Sequence, residues 1–373
     1  MKVLFACGGT AGHINPALAL ARVFKERKPD CQVLFVGAKN AMEEELIPKE
    51  GFPLETVTAG SFRRKLGPAF IKHNLRTLYR LQKSRIQVKA ILDRFQPDLV
   101  VGTGGYASYP VVRAAAARGI PTAIHESNVV PGLTTRRLSK YVDCIMVGMP
   151  EAQNHYDHPE RVVVTGTPVR GAFWDYSRKE AKAALHIPEE QPLLLSYWGS
   201  LGADQMNRYM VDFIQLETEE QASFAHIHGA GHNYGDMLQE LEDRGVTLLK
   251  QCRIERYIHN MPLVMAAADL VLCRAGASTI SELTALGKPA IIVPSPNVTG
   301  NHQEKNAAAL ALTGGAVMIL ESDCDGARLY REASMLLREN RKRVVMEKAM
   351  AATGKPDAGD QIYQTLIKLL QKG

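Results

Sequence analysis

Residues 3–27, VLFACGGTAGHINPALALARVFKER, contain the pattern that decides the fold. The apolar run Val3–Cys7 ends at a glycine-rich turn, and a helical run, Pro16–Arg27, follows it. A strand that leads through such a turn into a helix is the opening unit of a doubly wound α/β sheet. His13 ends the turn, and three roles are open for it: holding a phosphate, acid–base chemistry, or capping the turn.

The same strand–turn–helix pattern recurs along the chain and begins a second time at Leu193. Its strands are apolar on both faces, which is typical of parallel strands covered by helices on each side. The sequence therefore predicts an α/β protein of two Rossmann-like, doubly wound parallel-sheet domains that face each other across a cleft. The predicted strands are Val3–Cys7, Val33–Val36, Leu54–Val57, Leu99–Val101, Thr122–His125, Cys144–Val147 and Val162–Thr165, then Leu193–Tyr197, Phe224–Ile227, Val246–Leu249, Leu270–Cys273, Ala290–Val293 and Val317–Leu320.

The domain boundaries follow from the place where the pattern restarts. We expect an N-terminal domain at residues 1–164 and a C-terminal domain at residues 165–350. The last segment, residues 351–373, contains an amphipathic helical pattern at Asp360–Leu370, too far from any strand to extend the second sheet. We expect this helix to pack back on the N-terminal domain. Further predicted helices are Thr77–Phe95, Met206–Ile214 and Ile280–Ala285, with another inside Ser177–Pro192.

The composition is that of a globular protein with enough residues for two hydrophobic cores. Of the 373 residues, 46% are hydrophobic and 23% are charged. No apolar run approaches the roughly 20 residues that a membrane-spanning helix needs. The short apolar run after Lys2 does not fit a secretion signal, so we expect a cytoplasmic protein. The six cysteines are scattered without a CxxC pair, which argues against a disulfide framework or a zinc–thiolate site.

A basic segment interrupts the first half of the chain. Residues 56–92 contain no Asp or Glu, but they contain nine Lys or Arg interleaved with apolar side chains. A solvated face is the ordinary explanation, and nucleic acid is disfavoured because no recognised nucleic-acid module accompanies the charge. We expect part of the segment to lie on an anionic lipid surface. The basic residues are Arg63, Arg64, Lys65, Lys72, Arg76, Arg80, Lys83, Arg85 and Lys89, and the apolar ones are Phe62, Leu66, Phe70, Ile71, Leu75 and Leu78.

Three glycine-rich turns follow predicted strands, at residues 8–13, 102–108 and 199–203. Glycines let backbone N–H groups approach a phosphate closely, although any one such turn can also connect a strand to a helix without a ligand. None is a Walker A loop, because no Gly-Lys-Ser/Thr follows. The first also departs from the dinucleotide pattern, since Gly37-Ala38-Lys39 places no acidic residue after the second strand.

The most specific stretch is CRAGASTISELTALGKPAIIVPSP, residues 273–296. A strand ends there in small residues, and Ser278 and Thr279 offer N–H and hydroxyl groups at a helix start. Glu282 could bind a ribose diol or close a capping box with one of these hydroxyls. A capping box does not explain the His-Gln pair at residues 302–303, whose side-chain types suit sugar hydroxyls. The segment therefore predicts a nucleotide-sugar site.

The motifs GGTAGHINPALALA, HESNVVPGLTTRRL, TGTPVR, GSLGA, RAGASTISEL and HQEKNA occur in this order over nearly the whole chain. As a set they resemble the MurG family, the UDP-N-acetylglucosamine–N-acetylmuramyl-(pentapeptide) pyrophosphoryl-undecaprenol N-acetylglucosamine transferases. The resemblance implies a GT-B fold and an inverting transfer of GlcNAc from UDP-GlcNAc to the muramyl 4-hydroxyl of lipid I, which forms lipid II in peptidoglycan synthesis. It also implies a peripheral enzyme on the cytoplasmic face of the cell membrane.

The resemblance also implies partners and roles for individual positions. The partners are UDP-GlcNAc, the undecaprenyl-linked muramyl-pentapeptide acceptor and an anionic membrane surface, without nucleic acid. The donor-binding residues are expected to be Arg170, Ser200, Ile258, Ala277, Ser278, Thr279, Glu282, His302 and Gln303. The acceptor-binding residues are expected to be Thr10, Gly12, His13, Gly104, Gly105, Tyr106 and Asn128.

Glycosyl transfer needs a base and a stabilised leaving group. His13 can titrate near neutral pH and is the predicted base, although a neutral histidine bonded inside the turn explains it about equally well without the resemblance. Glu126 is a rival base unless it pairs with a nearby arginine. Helix N-termini and Arg170 could stabilise the departing UDP, and no DxD-type motif is evident where a metal would be needed. We therefore expect no cofactor and no metal.

Some positions depart from the family pattern. Trp198 and Tyr109 are bulky at positions where the family usually has glycine, and Asn301 stands where an acidic residue commonly precedes the His-Gln pair. These departures leave open a GT-B transferase for another lipid or sugar acceptor and a weakly active UDP-sugar-binding homologue. A UDP-GlcNAc 2-epimerase is a further alternative, although the sequence shows no set of carboxylates for the proton removal that it requires. A zinc site is a further and less favoured interpretation of the cluster His226, His228 and His232.

Overall fold

The computed structural model describes residues 1–58, 83–199 and 202–372 and divides the chain into two compact units. The first unit is Met1–Arg170 together with Lys355–Gly373, and the second is Gly171–Gly354. The divisions lie after Arg170 and after Gly354, rather than after residues 164 and 350 as expected. Arg170, which we expected beside the donor, therefore belongs to the first unit.

The first unit is built on seven parallel strands. They are β1 (Lys2–Ala6), β2 (Gln32–Ala38), β3 (Leu54–Val57), β4 (Leu99–Gly102), β5 (Thr122–Glu126), β6 (Cys144–Val147) and β7 (Val162–Val164). The helices are α1 (Ala11–Arg27), α2 (Glu43–Lys49), α3 (residues 83–95), α4 (Ser108–Ala116), α5 (Leu133–Leu138) and, from the end of the chain, α14 (Ala358–Lys372). The strand order β3-β2-β1-β4-β5-β6-β7 reverses between β1 and β4, and ligands of doubly wound sheets bind at that point.

Both faces of this sheet are covered, which explains why its strands are apolar throughout. On one face, buried residues of β1 and α1 pack with α14, where the rings of Phe24 and Tyr363 lie 4.9 Å apart. On the other face, Leu4 and Val100 pack against α3 and α4. The C-terminal helix therefore completes the core of the first unit.

The second unit repeats the design with six parallel strands. They are β8 (Leu193–Tyr197), β9 (Ala225–Gly229), β10 (Cys252–Glu255), β11 (Leu270–Cys273), β12 (Ala290–Ile292) and β13 (Ala316–Met318), in the order β10-β9-β8-β11-β12-β13. The helices are α6 (Arg178–Ala184), α7 (Asp204–Glu219), α8 (Tyr234–Asp243), α9 (Met261–Ala267), α10 (Ala277–Ala285), α11 (His302–Leu312), α12 (Gly326–Arg338) and α13 (Asn340–Thr353). The predicted fold class of two doubly wound parallel sheets is confirmed.

One predicted strand is wrong. Val246–Leu249 follows α8 outside the sheet, and the strand in that region is β10. Because β10 is the edge strand of the sheet, its sequence CRIE alternates polar and apolar residues and lacks the apolar run of the central strands.

Part of the basic segment falls outside the described residues. Of its nine cations, Lys83, Arg85 and Lys89 are described; they lie exposed on α3, beside Ile86, whose exposed fraction is 74%. The predicted helix Thr77–Phe95 is helical over residues 83–95. Among the described helices, none is long and apolar enough to cross a membrane.

A buried charge network lies at the amino ends of β11 and β12. Asp269 accepts a bond from Lys182 at 2.8 Å. Lys288, which is 4% exposed, donates instead to two backbone carbonyls at the end of α9, at 2.6 and 2.9 Å. Its ammonium group therefore caps the negative end of a helix, and among the described residues no carboxylate is in hydrogen-bond contact with it.

Lys288 should make stability depend on pH. Burial, followed by the charge of Arg178, lowers the pKa of Lys288 from 10.5 to about 7. Between these two values the unfolded chain binds more protons than the folded chain, so the contribution to stability rises with pH across this window. We expect the unfolding free energy of the wild type, minus that of Lys288→Met, to increase from pH 7 to about pH 9.5, measured by urea unfolding. A difference that stays constant with pH would contradict this. The other charged groups facing the amine are Lys182, Asp269 and Glu347.

Candidate active site

Two glycine-rich turns meet at the carboxyl edge of the first sheet. β1 and β4 are parallel neighbours with Ala6 opposite Gly102, so the turns that follow them, at residues 8–13 and 102–108, lie side by side. A Cβ atom added at Gly105 would come within 1.8 Å of the Gly8 carbonyl oxygen. The two predicted acceptor turns therefore touch through their backbones.

His13 lies where these turns join. Its carbonyl oxygen accepts a bond from the Thr103 hydroxyl at 2.7 Å, and its N–H donates to the Thr10 carbonyl at 3.0 Å. A Cβ atom at Gly104 would fall 2.6 Å from Nδ1 of His13, so the ring lies against the second turn. The half-buried imidazole is thus placed by both turns, as a base that meets an acceptor there would require.

Tyr106 covers the first turn from the second. A Cβ atom at Gly9 would lie 3.1 Å from its ring. Burial, followed by the charge of Glu43, raises the pKa of Tyr106, which keeps the phenol protonated. The Ser108 hydroxyl, 2.6 Å from the Ala6 carbonyl, fastens the start of α4 to β1.

Glu43 is a residue of this site that the sequence reasoning missed. Its Oε1 atom accepts bonds from the Gly9 and Ala38 N–H groups at 3.0 and 3.2 Å, and the side chain is fully buried. The acidic residue thus reaches the end of β2 from α2, and not from the position directly after the strand. Its spacing of four from the buried Ile47 is the signal that could have identified it.

Tyr109 does not approach the glycine turns with its side chain, contrary to our expectation. It is part of α4 and packs against the hydrophobic cluster on that face of the sheet. A tyrosine in this position therefore leaves the backbone of the turns accessible.

Glu126 organises its own loop. One carboxylate oxygen accepts from the backbone and side-chain amides of Asn128 at 3.0 and 2.8 Å, and the other accepts from the Gly132 N–H at 3.0 Å. The carboxylate is buried and bonded on both oxygens, and no arginine among the described residues pairs with it. This arrangement favours a structural role, so His13 is the stronger candidate base.

In the second unit, the turn after β11 leads into the N-terminus of α10. Gly276 is the residue before the helix and has no side chain to cap it, so the capping box expected as an alternative is not formed. The hydroxyl Oγ of Ser278 is buried and has no hydrogen-bond partner among the described residues. An unsatisfied hydroxyl at a helix N-terminus is suited to an anionic oxygen of a ligand.

Glu282, one turn further along α10, faces the carboxyl ends of the central strands. Burial raises the pKa of Tyr197 well above its ordinary value, with further increases from Cys273 and Glu282. Tyr197 and Cys273 are paired residues at the ends of β8 and β11. The carboxylate therefore lies beside the edge at which a ligand of this sheet would bind.

The His-Gln pair begins α11 and is joined to the α10 turn. Asn306, one turn further on, donates to the Ala275 carbonyl at 3.3 Å. Oε1 of Gln303 accepts from the Ser295 N–H at 2.9 Å, which fixes the orientation of the amide, and His302 is half-buried at the helix start. The N-termini of α10 and α11 thus come together at one edge of the sheet, as the predicted nucleotide-sugar site requires.

Asn301 suits the backbone conformation before this helix. Its φ of 51° is left-handed, a region that asparagine occupies more readily than most residues. Its side-chain amide also bonds to Glu304 in the first turn of α11. The departure from an acidic residue therefore has a local structural reason.

Trp198 is directed away from the ligand edge, contrary to our expectation. It is 3% exposed and packs with Met206 and Met210 in the hydrophobic core of the second unit. Arg274, in the turn before α10, lies over the ring with its guanidinium carbon 5.9 Å from the centroid. Ser200 lies outside the described residues, and the buried Ile258 lies against Gly229 at the end of β9.

His226, His228 and His232 do not form one cluster. His226 and His228 both bond to the Ser196 hydroxyl, at 2.8 and 2.7 Å, and His226 also bonds to Glu217 at 2.6 Å. Burial, with His226 beside it, lowers the pKa of His228 to about 3. His232 is exposed on a separate turn. The zinc interpretation of these three residues is therefore wrong, since they do not come together.

Comparison with known proteins identifies the family. The model of the glycosyltransferase family 28 N-terminal domain matches residues 3–147, and that of the family 28 C-terminal domain matches residues 197–362. The chain belongs to glycosyltransferase family 28. Within this family the transferase is 42% identical over 376 residues to a protein of Desulforudis audaxviator named UDP-N-acetylglucosamine–N-acetylmuramyl-(pentapeptide) pyrophosphoryl-undecaprenol N-acetylglucosamine transferase, and 100% of both chains is covered.

Solved structures give the same result for the fold of this transferase. The crystal structure of MurG from Acinetobacter baumannii has a TM-score of 0.74 and 25% identity, with 100% of both chains covered. The expected GT-B fold and the resemblance to MurG are thus confirmed. A UDP-GlcNAc 2-epimerase from Neisseria meningitidis has a TM-score of 0.68 at 15% identity, covering 99% of this chain and 100% of that one, which shows a shared fold alone.

Proposed function

We propose that this transferase moves GlcNAc from UDP-GlcNAc to the 4-hydroxyl of the muramyl residue in an undecaprenyl diphosphate-linked muramyl-pentapeptide. One observation carries the proposal: the N-termini of α10 and α11 meet at the sheet edge in a chain whose full-length relatives bear that name. The second unit is thus suited to a nucleotide sugar. The touching turns of the first unit are suited to the acceptor.

In this proposal the donor lies along the carboxyl edge of the second sheet. Its diphosphate is bound by the amides at the start of α10 with Ser278 and Thr279, and the helix dipole stabilises the negative charge of the departing UDP. Glu282 binds the ribose, Ile258 lies at the uracil, and His302 with Gln303 binds the sugar. Ser200 and Arg170 stay donor candidates from the sequence.

The acceptor hydroxyl is placed beside His13. The imidazole removes the hydroxyl proton while the oxygen attacks the anomeric carbon, and the bond to UDP breaks on the opposite face, so the configuration inverts. Thr10, Gly12, Gly104, Gly105, Tyr106 and Asn128 are the proposed acceptor contacts. No metal is needed in this scheme, because helix N-termini stabilise the leaving group.

Peripheral binding to the cytoplasmic membrane face is the proposed location. The lipid tail of the acceptor requires a membrane, and exposed Lys83, Arg85 and Lys89 next to Ile86 fit anionic headgroups with an apolar side chain among them. Nucleic acid is not part of the proposal.

The test uses the purified full chain, UDP-GlcNAc and the lipid-linked acceptor in anionic or neutral vesicles. We expect a product with one added GlcNAc and faster turnover on anionic vesicles. Formation of an epimerised nucleotide sugar without acceptor would favour the epimerase, and donor binding without transfer to any lipid acceptor would favour a weakly active homologue. The weakly active homologue loses support here, because of the two residues that motivated it Trp198 packs in a hydrophobic core and Tyr109 packs against one.

The Ser278 hydroxyl gives a separate test of the donor site. Because Oγ of Ser278 is buried and unpartnered among the described residues, Ser278→Ala should not lower the melting temperature. If the hydroxyl binds a charged phosphate oxygen, UDP affinity should fall about tenfold, measured by calorimetric titration. Ser281→Ala is the matched control, since that hydroxyl on the same helix bonds to the Ala277 carbonyl at 2.9 Å. Equal UDP affinities in the two variants would contradict the assignment.

A further inference from the structure

The carboxylate of Glu43 occupies the inner side of the first glycine turn. Its Oε1 atom accepts both the Gly9 and the Ala38 N–H groups, so it links the ends of β1 and β2. Its Oε2 atom is buried as well and has no hydrogen-bond partner among the described residues. Leaving a carboxylate oxygen buried and unbonded is costly, which implies that the group is retained for a reason other than stability.

Two glycines make room for this side chain. A Cβ atom at Gly8 would come within 2.3 Å of Oε1 of Glu43, and a Cβ atom at Gly37 would come within 2.9 Å of the Cβ and Cγ atoms of Glu43. Glycine is thus required two residues after the end of β1 and at the next-to-last position of β2 for the carboxylate to fit. The position of Glu43 is therefore built into the backbone around it.

The carboxylate changes what the first turn can bind. In doubly wound sheets the amides of this turn approach the phosphates of a nucleotide. Here the Gly9 amide is already bonded to an internal anion, and the negative charge next to it repels a second one. The amides that remain for an anion are those at the start of α1, where Thr10, Ala11 and Gly12 precede the first intrahelical bonds.

We propose that Glu43 is a positioning residue of the acceptor site, which holds the first glycine turn and directs the acceptor diphosphate away from Gly9 to the start of α1. This inference rests on the proposed function, because it assumes that the first unit binds the acceptor. The negative charge of Glu43 weakens diphosphate binding at the first turn. Its hydrogen bonds to the Gly9 and Ala38 N–H groups hold that turn, and they thereby keep His13, four residues after Gly9, in place against the second turn.

The test compares Glu43→Gln with Glu44→Gln, a substitution of the adjacent exposed glutamate on the same helix. Glutamine keeps the shape and one acceptor oxygen but removes the charge. Affinity for farnesyl diphosphate, measured by calorimetry with saturating UDP at the donor site, should rise about three- to tenfold in Glu43→Gln. The kcat for transfer should fall about tenfold because the turn is held less firmly. Glu44→Gln should match the wild type in both measurements.

Glu43→Asp separates the two effects and serves if the glutamine variant does not fold. Aspartate keeps the charge but cannot reach both N–H groups, so kcat should fall without a gain in diphosphate affinity. Diphosphate affinity in Glu43→Gln that equals or falls below that of Glu44→Gln would overturn the proposal, as would a gain in Glu43→Asp. A wild type without transferase activity would count against the proposed function, whereas the comparison of diphosphate affinities would still decide the role of Glu43.

Discussion

His13→Ala should lower kcat for transfer by about 10²- to 10³-fold and leave the KM for UDP-GlcNAc nearly unchanged. The acceptor hydroxyl is a poor nucleophile until a base takes its proton, and His13 is the imidazole placed between the two touching turns. The proposed donor contacts, apart from Arg170, lie in the second unit. Removing the base should therefore slow the chemical step without weakening the binding of the nucleotide sugar.

The matched control for this variant is His155→Ala. His155 is an exposed histidine of the same unit, at the end of the short helix Pro150–His155. It should leave both kinetic constants unchanged. Imidazole added to His13→Ala should restore part of the lost rate if the ring acts as a base. A kcat for His13→Ala close to that of His155→Ala would contradict the base role, as would an equal loss in the affinity for UDP-GlcNAc.

The sequence predicts the fold because the strand–turn–helix pattern is local and repeated. Central strands such as β1 and β8 are apolar on both faces, which only a sheet covered by helices on both sides explains. The prediction of a strand failed near β10 because that strand lies at the edge of the sheet. An edge strand has fewer buried positions, so Cys252–Glu255 carries a weaker signal than the apolar run Val246–Leu249 beside it.

The site is less completely predictable, because side-chain direction depends on packing. Trp198 follows directly after β8. Leu194, four residues earlier on that strand, belongs to the same hydrophobic cluster. The period of two along a strand places both on one face, so strict alternation could have predicted that Trp198 points into the core. Sequence motifs located the turns, but they did not give the direction of the bulky side chain.

Glu43 was missed for a different reason. The dinucleotide pattern places its acidic residue directly after β2, whereas the carboxylate of Glu43 returns to that end from the first turn of α2. Three consecutive glutamates at a helix N-terminus also interact favourably with the helix dipole. That ordinary explanation covers Glu43 as well, so the sequence does not single it out. Its burial, its bonds to the Gly9 and Ala38 N–H groups and its side-chain contacts at Gly8 and Gly37 distinguish Glu43 from its exposed neighbours.

Gly105→Ala should reduce the free energy of unfolding by about 3 to 5 kcal/mol and lower transfer more than 100-fold, a loss on the order of that caused by removing a catalytic group. The added Cβ would lie 1.8 Å from the carbonyl oxygen of Gly8, and both atoms belong to backbones that their strands hold in register. The two turns would have to separate. His13 would then lose its place against the second turn.

Gly119→Ala isolates this contact from the cost of the backbone conformation. Gly119 has a φ of 70° against 80° for Gly105, and a Cβ there would meet none of the described residues within 4 Å. Both substitutions therefore carry the left-handed penalty of about 1 to 2 kcal/mol, and only Gly105→Ala adds the collision. Gly105→Ala should therefore lose more unfolding free energy, measured in urea, and more transferase activity than Gly119→Ala. If they lose equal stability and Gly105→Ala retains turnover, the two turns do not touch in solution, and the placement of His13 as the base loses its structural support.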